Sequence, residues 1–190
     1  MQKPIRFIKP VSLILFSHLI FVQAFAHVQL DIAQYNSSDQ LIFPANTDTW
    51  VHLGSSLGSE YGEEPFDPAN PGSIGVVQME PNAYRYFVDN GQYADGTMFL
   101  LSFYASEAES DPQLPGFVQG ALTQKEIHVI DSARFSEGRG FFLYQAETTT
   151  TTASTKLPNN STCVVCHMAE GKYNGTFTQF YPTIRSIATD

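Results

Sequence analysis

The run Cys163-Val164-Val165-Cys166-His167 holds the only two cysteines among 190 residues and is the segment best equipped for chemistry. A Cys-x-x-Cys-His spacing lets two thiols add to the two vinyl groups of one haem, while the histidine that follows reaches the iron as an axial ligand. These residues predict one covalently attached haem c, with Cys163 and Cys166 on the porphyrin and His167 as the iron ligand. A structural zinc site would need a second Cys or His pair at ligand spacing. The nearest other histidine, His128, lies far upstream with no such partner beside it in sequence. A thioredoxin-like redox pair would sit near the start of a βαβ unit and would leave His167 without a role.

The position of the run narrows the choice further. Only 23 residues follow His167, whereas small electron-transfer cytochromes carry the motif near the N-terminus and take a methionine as sixth ligand from far downstream. The one later methionine, Met168, adjoins the ligand histidine and cannot reach the opposite side of a haem. Met79 and Met98 sit in apolar strand patterns and read as core. His52 is a conceivable sixth ligand, but a lone histidine in a strand pattern reads first as a satisfied or surface residue. A C-terminal motif also occurs in four-helix cytochromes c-prime, yet the strand-rich pattern argues against a bundle.

The elements that must position these residues can be read along the chain. Thr49 to Ser56 predicts a strand, and the Pro- and Gly-rich segment Gly58 to Gly75 a loop. Ile74 to Met79 predicts a short strand, and Pro81 to Gly91 a helix with Pro in its first turn and Asn-Gly at its end. Thr97 to Tyr104 is a continuous apolar strand, which predicts burial on both faces. An acidic loop follows over Ser106 to Gly116, then strands at Phe117 to Ile130 and Gly140 to Ala146, and a polar connector from Thr148 to Asn160. Ser161 or Thr162 can cap a short helix carrying the haem motif. Phe177, Phe180 and Tyr181 form a terminal aromatic cluster able to pack beside a haem. The picture is one sheet-based domain whose C-terminal helix brings His167 to the iron.

The N-terminus supplies the compartment. Lys3, Arg6 and Lys9, the apolar stretch Val11 to Val22 and the small-x-small triplet Ala24-Phe25-Ala26 predict a signal peptide over residues 1–26 and a single domain over 27–190. The apolar stretch is short for a membrane span, so the mature protein is expected to be soluble and periplasmic, where bacterial c-type haem attachment takes place. Maturation leaves seven Lys plus Arg against nineteen Asp plus Glu, hence a net charge of −12. Nucleic acid and anionic membranes are poor partners for such a surface. Cleavage would expose His27, and a copper-binding N-terminal histidine would need His52 or His128 held opposite; a mobile end is the simpler expectation.

Several modest segments, in order and spacing, resemble the cytochrome P-460 family, which includes the cytochromes c-prime-beta. They are Trp50-Val51-His52-Leu53-Gly54-Ser55, the helix Pro81 to Phe87, Gly91 to Thr97, Val129 to Phe135, and Cys163 to His167 followed by Phe177 to Pro182. The resemblance covers most of the mature chain. It implies an α+β fold, mostly antiparallel β-sheet with a few short helices, usually dimeric, with one five-coordinate c-type haem held by a C-terminal helix packed on the sheet. Members with a lysine cross-linked to the porphyrin oxidise hydroxylamine, and members without it bind nitric oxide and carbon monoxide behind an apolar cap.

By local alignment the family's cross-linking lysine falls at Leu101, with Ser102 next to it, and no lysine occurs between Lys9 and Lys125. Strand alternation turns Lys125 outward if Glu126, which matches an inward-facing family carboxylate, faces in. Glu126 is a candidate catalytic proton relay or a hydrogen-bonded structural carboxylate. A distal arginine of the enzymatic members is replaced by Gly75. Without a distal cation, anions and bound dioxygen are poorly stabilised, while neutral diatomics are not penalised. Phe66, Phe99, Leu101 and Phe103 are candidate cap residues, each with an ordinary core role as the alternative. The expected function is therefore gas binding, for buffering, detoxification or sensing of nitric oxide. Hydroxylamine oxidation and simple electron transfer to a redox partner are the alternatives.

Overall fold

Period-two alternation along the central strands decides which side chains share a face, and so where a cofactor can sit. The computed structural model describes residues 29–30, 32–58, 66–110 and 114–188. The expected signal peptide and His27 lie outside the described residues. The elements run β1 (Leu41–Ile42), β2 (Val51–Leu57), β3 (Ser73–Met79), α1 (Pro81–Asn90), β4 (Thr97–Glu109), β5 (Gly116–Ile130), β6 (Arg139–Gln145), β7 (Ala153–Ser154) and α2 (Thr162–Glu170). Strands β2 to β6 form one antiparallel meander in sequence order, and β1 pairs with β7 in a separate two-stranded ribbon. The fold is the α+β, mostly antiparallel arrangement that the resemblance implies.

Each face of the meander has its own core. Met98 and Leu100 of β4, Ile127 and Val129 of β5, and Phe142 and Tyr144 of β6 pack with Leu41, Phe43, Trp50 and Phe135 on one face. Met79 of β3 and Phe99 of β4 pack on the other with Leu53, Tyr93, Ile184 and the α1 residues Ala83 and Phe87. Helix α1 is well stopped at both ends. The Glu80 carboxylate accepts from the Ala83 N–H (2.8 Å), Pro81 opens the first turn, and Gly91 closes the helix at φ 71°, its N–H donating to the Phe87 carbonyl (2.8 Å). Ala83 and Phe87 are four residues apart and so share the buried stripe. Truncating Phe87 to Ala would cost about 3–5 kcal/mol.

Three expectations need correction. Strand β4 continues to Glu109, because Ser106 to Glu109 pair with Gly116 to Gln119 of β5; cross-strand partners convert most of an apparent acidic loop into a ribbon. The polar connector contains β7, whose two residues pair with β1. Burial of β4 on both faces holds only from Thr97 to Leu100, since Leu101 and Phe103 are half-buried. Those two side chains border a cavity rather than more protein.

Candidate functional site

The cavity lies on the α1 side of the sheet, beyond the Phe99 layer, and has a volume of about 290 Å³. Alternation brings Phe99, Leu101 and Phe103 of β4 to its wall, with Val77 of β3 and Gly54 to Ser56 of β2 at one side. Register places Glu126 opposite Leu101, and His128 opposite Phe99 and Phe141. Glu126, His128 and Phe141 reach the same cavity. Cys166 and His167 of α2 close it from above, and Phe177, Phe180 and Tyr181 of the C-terminal segment border it.

Helix α2 starts at Ser161, whose hydroxyl accepts from the Val164 N–H (3.5 Å); of the two cap candidates, Ser161 is the one used. Cys163, Cys166 and His167 stand at i, i+3 and i+4 and therefore share one helix face, while Val164 is buried on another. The His167 ring is held on several sides. Its Nδ1 donates to the Gly175 carbonyl (2.7 Å), and Phe141 and Phe177 lie with ring centroids at 4.7 and 4.8 Å. That hydrogen bond fixes the tautomer and leaves Nε2 as the lone-pair nitrogen. Burial holds the His167 pKa below the usual histidine range, against the opposing pull of the Gly175 carbonyl, which favours the neutral imidazole.

This donor set fits a haem. The His167 imidazole and the Cys166 thiol border a largely apolar cavity, and Cys163 shares their helix face without lining the cavity itself. Among the described residues, no group of three or more His, Cys, Asp or Glu side chains converges as a metal cage would require.

The remaining polar groups are sparse. The Glu126 carboxylate accepts from Gln124 Nε2 (2.8 Å), and burial pushes its pKa up despite that bond. His128 is buried, stacks on Phe141 (4.2 Å) and stands edge-on to His167 (5.8 Å). Burial, then the neighbouring His167 and Arg139, hold its pKa far below the usual histidine value, so it too is neutral. Sequence separation hid this neighbour of His167. The signal available was its i+2 spacing from Glu126, which puts both side chains on one sheet face.

Lys125 stands on the other face. Its Nζ donates to the Thr148 carbonyl (3.3 Å) and sits 4.9 Å from the Phe43 ring centroid, half-buried at the edge of the opposite core. Gly75 pairs with Phe103, and a Cβ built there would approach Leu101 at 3.5 Å and Phe103 at 3.9 Å. A side chain at 75 would thus enter the cavity side. Phe66 is 58% exposed, lies against Gly58 and is not part of the cavity wall. His52 is exposed, bonded to Ser55 Oγ (2.9 Å), and does not line the cavity. Met79 and Met98 are fully buried in the two cores, and Met168 is half-exposed on α2.

The sequence model described as Cytochrome P460 matches residues 44–178, well over half of the chain and inclusive of every cavity strand and the Cys-x-x-Cys-His run. The chain belongs to the cytochrome P460 family. No curated protein matches the sequence. Membership makes the chain a haem-binding cytochrome, and the matched span includes His167 with its tied Nδ1. Among the described residues no helix is long and apolar enough to cross a membrane.

Proposed function

We propose that this chain is an exported, periplasmic cytochrome with one haem c, attached through Cys163 and Cys166, ligated by His167, and open on an apolar distal face to nitric oxide and carbon monoxide. The observation that carries this reading is the residue at position 101. Leu101 lines the cavity where resemblance puts the cross-linking lysine of the hydroxylamine-oxidising members, and Lys125 stands on the opposite sheet face over the Phe43 ring. When bound, the haem supplies an iron coordination position for a diatomic ligand. The chain's part is to set a largely apolar wall beside that position. Phe99, Leu101 and Phe103 make their part of the wall apolar, with no hydrogen bond to offer a polar ligand, and Gly75 puts no cation beside them; Glu126 and His128 are polar groups elsewhere on the lining. Neutral diatomics lose nothing in such surroundings, and the biological role that follows is buffering, detoxification or sensing. From the resemblance we take the working form to be a homodimer.

An optical spectrum of the holoprotein, ferric and dithionite-reduced, with and without nitric oxide, tests the reading. High-spin iron, an ordinary c-type reduced spectrum and rapid nitric oxide uptake are expected. A strongly red-shifted reduced Soret band would instead mark a cross-linked haem, and a low-spin spectrum indifferent to nitric oxide would mark an electron carrier. One observation favours the enzymatic alternative. Glu126 reaches the cavity with its pKa raised by burial, which is the state a proton relay needs.

A further inference from the structure

A file of buried hydroxyls leads from the hydrophobic core to the turn that holds His167. Tyr93 Oη lies 2.5 Å from Thr178 Oγ1, Thr178 Oγ1 lies 2.6 Å from Thr176 Oγ1, and Thr176 Oγ1 donates to the Tyr173 carbonyl (2.7 Å). The last bond fixes the direction of the rest. With Thr176 donating to Tyr173, Thr178 donates to Thr176 and Tyr93 to Thr178, so each hydroxyl proton is used once.

The far end of this file is the turn Tyr173-Asn174-Gly175-Thr176, closed by Thr176 N–H on the Tyr173 carbonyl (2.9 Å), with Asn174 at φ 51° and Gly175 at φ 70°. Two consecutive left-handed residues make a type I′ turn, for which Asn-Gly is the favoured pair. The carbonyl of Gly175 is the acceptor for His167 Nδ1.

We infer that Tyr93, Thr178 and Thr176 are positioning residues, which lock the Tyr173–Thr176 turn and so set the orientation and donor strength of the His167 imidazole through the Gly175 carbonyl. The inference rests on His167 being the iron ligand proposed above. Thr176 and Thr178 are almost fully buried, and Tyr93 is clamped between Phe87 (4.5 Å, stacked) and Phe99 (5.2 Å, edge-on). The file is therefore anchored in the α1 core and cannot be replaced by water without opening that core. A firm carbonyl on Nδ1–H raises the basicity of Nε2, whereas a loosened one weakens the bond to iron.

The test is the iron–histidine stretching band of the ferrous holoprotein, read by resonance Raman spectroscopy, together with the reduction potential. Tyr93→Phe keeps both ring contacts and deletes one hydroxyl; Thr178→Val deletes the middle one. Both are expected to shift the band to lower frequency and the potential upward, and Thr178→Ser to restore wild-type values. Variants that fold and load haem with an unshifted band would overturn the inference, as would a Thr178→Ser variant shifted as far as Thr178→Val, since packing alone would then be the cause. His167→Ala separates the two levels of argument. A band that survives it refutes His167 as the ligand and the inference with it; a band lost in His167→Ala but unmoved by the hydroxyl variants refutes the positioning role alone.

Discussion

Leu101 and Lys125 stand on neighbouring strands and on opposite faces of one sheet. Leu101 pairs with Glu126, and Lys125 with Ser102, so a single step of register separates the cavity wall from the opposite core. The Lys125 ammonium, 4.9 Å from the Phe43 ring centroid and bonded to the Thr148 carbonyl, cannot cross to the cavity side without breaking the β4–β5 ladder.

It follows that Lys125→Met leaves the reduced haem spectrum and nitric oxide uptake unchanged. The loss of the cation–π contact is expected to cost about 0.5–1 kcal/mol. Spectroscopy and a chemical melt on the same preparation check both halves; an altered haem spectrum would place the lysine in the cavity.

Glu126 predicts a pH dependence. Burial raises its folded pKa above the ordinary 4.5, so between that value and the raised one the folded protein binds more protons than the unfolded chain. Stability therefore falls as the pH rises through this window, and the loss is complete above the folded pKa. Glu126→Gln removes the ionisation. The variant should match wild type near pH 4, exceed it at pH 8, and show a flatter stability profile between, as urea melts across that range would reveal.

Position 75 tests the absence of a distal cation. A Cβ there would come within 2.8 Å of Ser56 Oγ, the end of a side chain that can rotate away, and then face Leu101 and Phe103. Gly75→Arg should strengthen binding of azide to the ferric protein by roughly tenfold, about 1.4 kcal/mol, and leave carbon monoxide affinity of the ferrous protein nearly unchanged. Parallel titrations decide it. Equal changes for both ligands would mean that the side chain acts by shape and not by charge.

Gly175 is the most demanding residue of the Tyr173–Thr176 turn. At φ 70° a side chain is strained, and a Cβ would lie 2.7 Å from Arg139 Nη1. Gly175→Ala is expected to lose about 1–2 kcal/mol of stability from the left-handed backbone alone. It should also displace the carbonyl on His167 Nδ1, visible as a shifted iron–histidine band. A variant as stable as wild type with an unshifted band would show that the turn tolerates another geometry.

The chain by itself determined a good deal. That Cys163, Cys166 and His167 share one helix face is readable because the arrangement is local: three residues on one helical turn, with Ser161 to start it. Helix α1 is readable because Pro81 and Gly91 act on the backbone of their own neighbours, and the strand cores of β3 to β6 because apolar runs and alternation are properties of a few consecutive residues. Once Glu126 is taken as inward-facing, the outward turn of Lys125 follows from period two alone.

Tertiary structure decided what depends on residues distant in sequence. Ser106 to Glu109 look like loop until Gly116 to Gln119 pair with them, and Ala153 with Ser154 become strand only against β1. His128 meets His167 across 39 residues, and Tyr93 meets Thr178 across 85, because β5, the α1 core and the C-terminal segment converge on one sheet face. Phe66 and His52 fall away from the cavity for the same reason in reverse. Their types suit a haem site, but where a side chain ends is set by the packing of the whole chain, and local pattern carries no information about it.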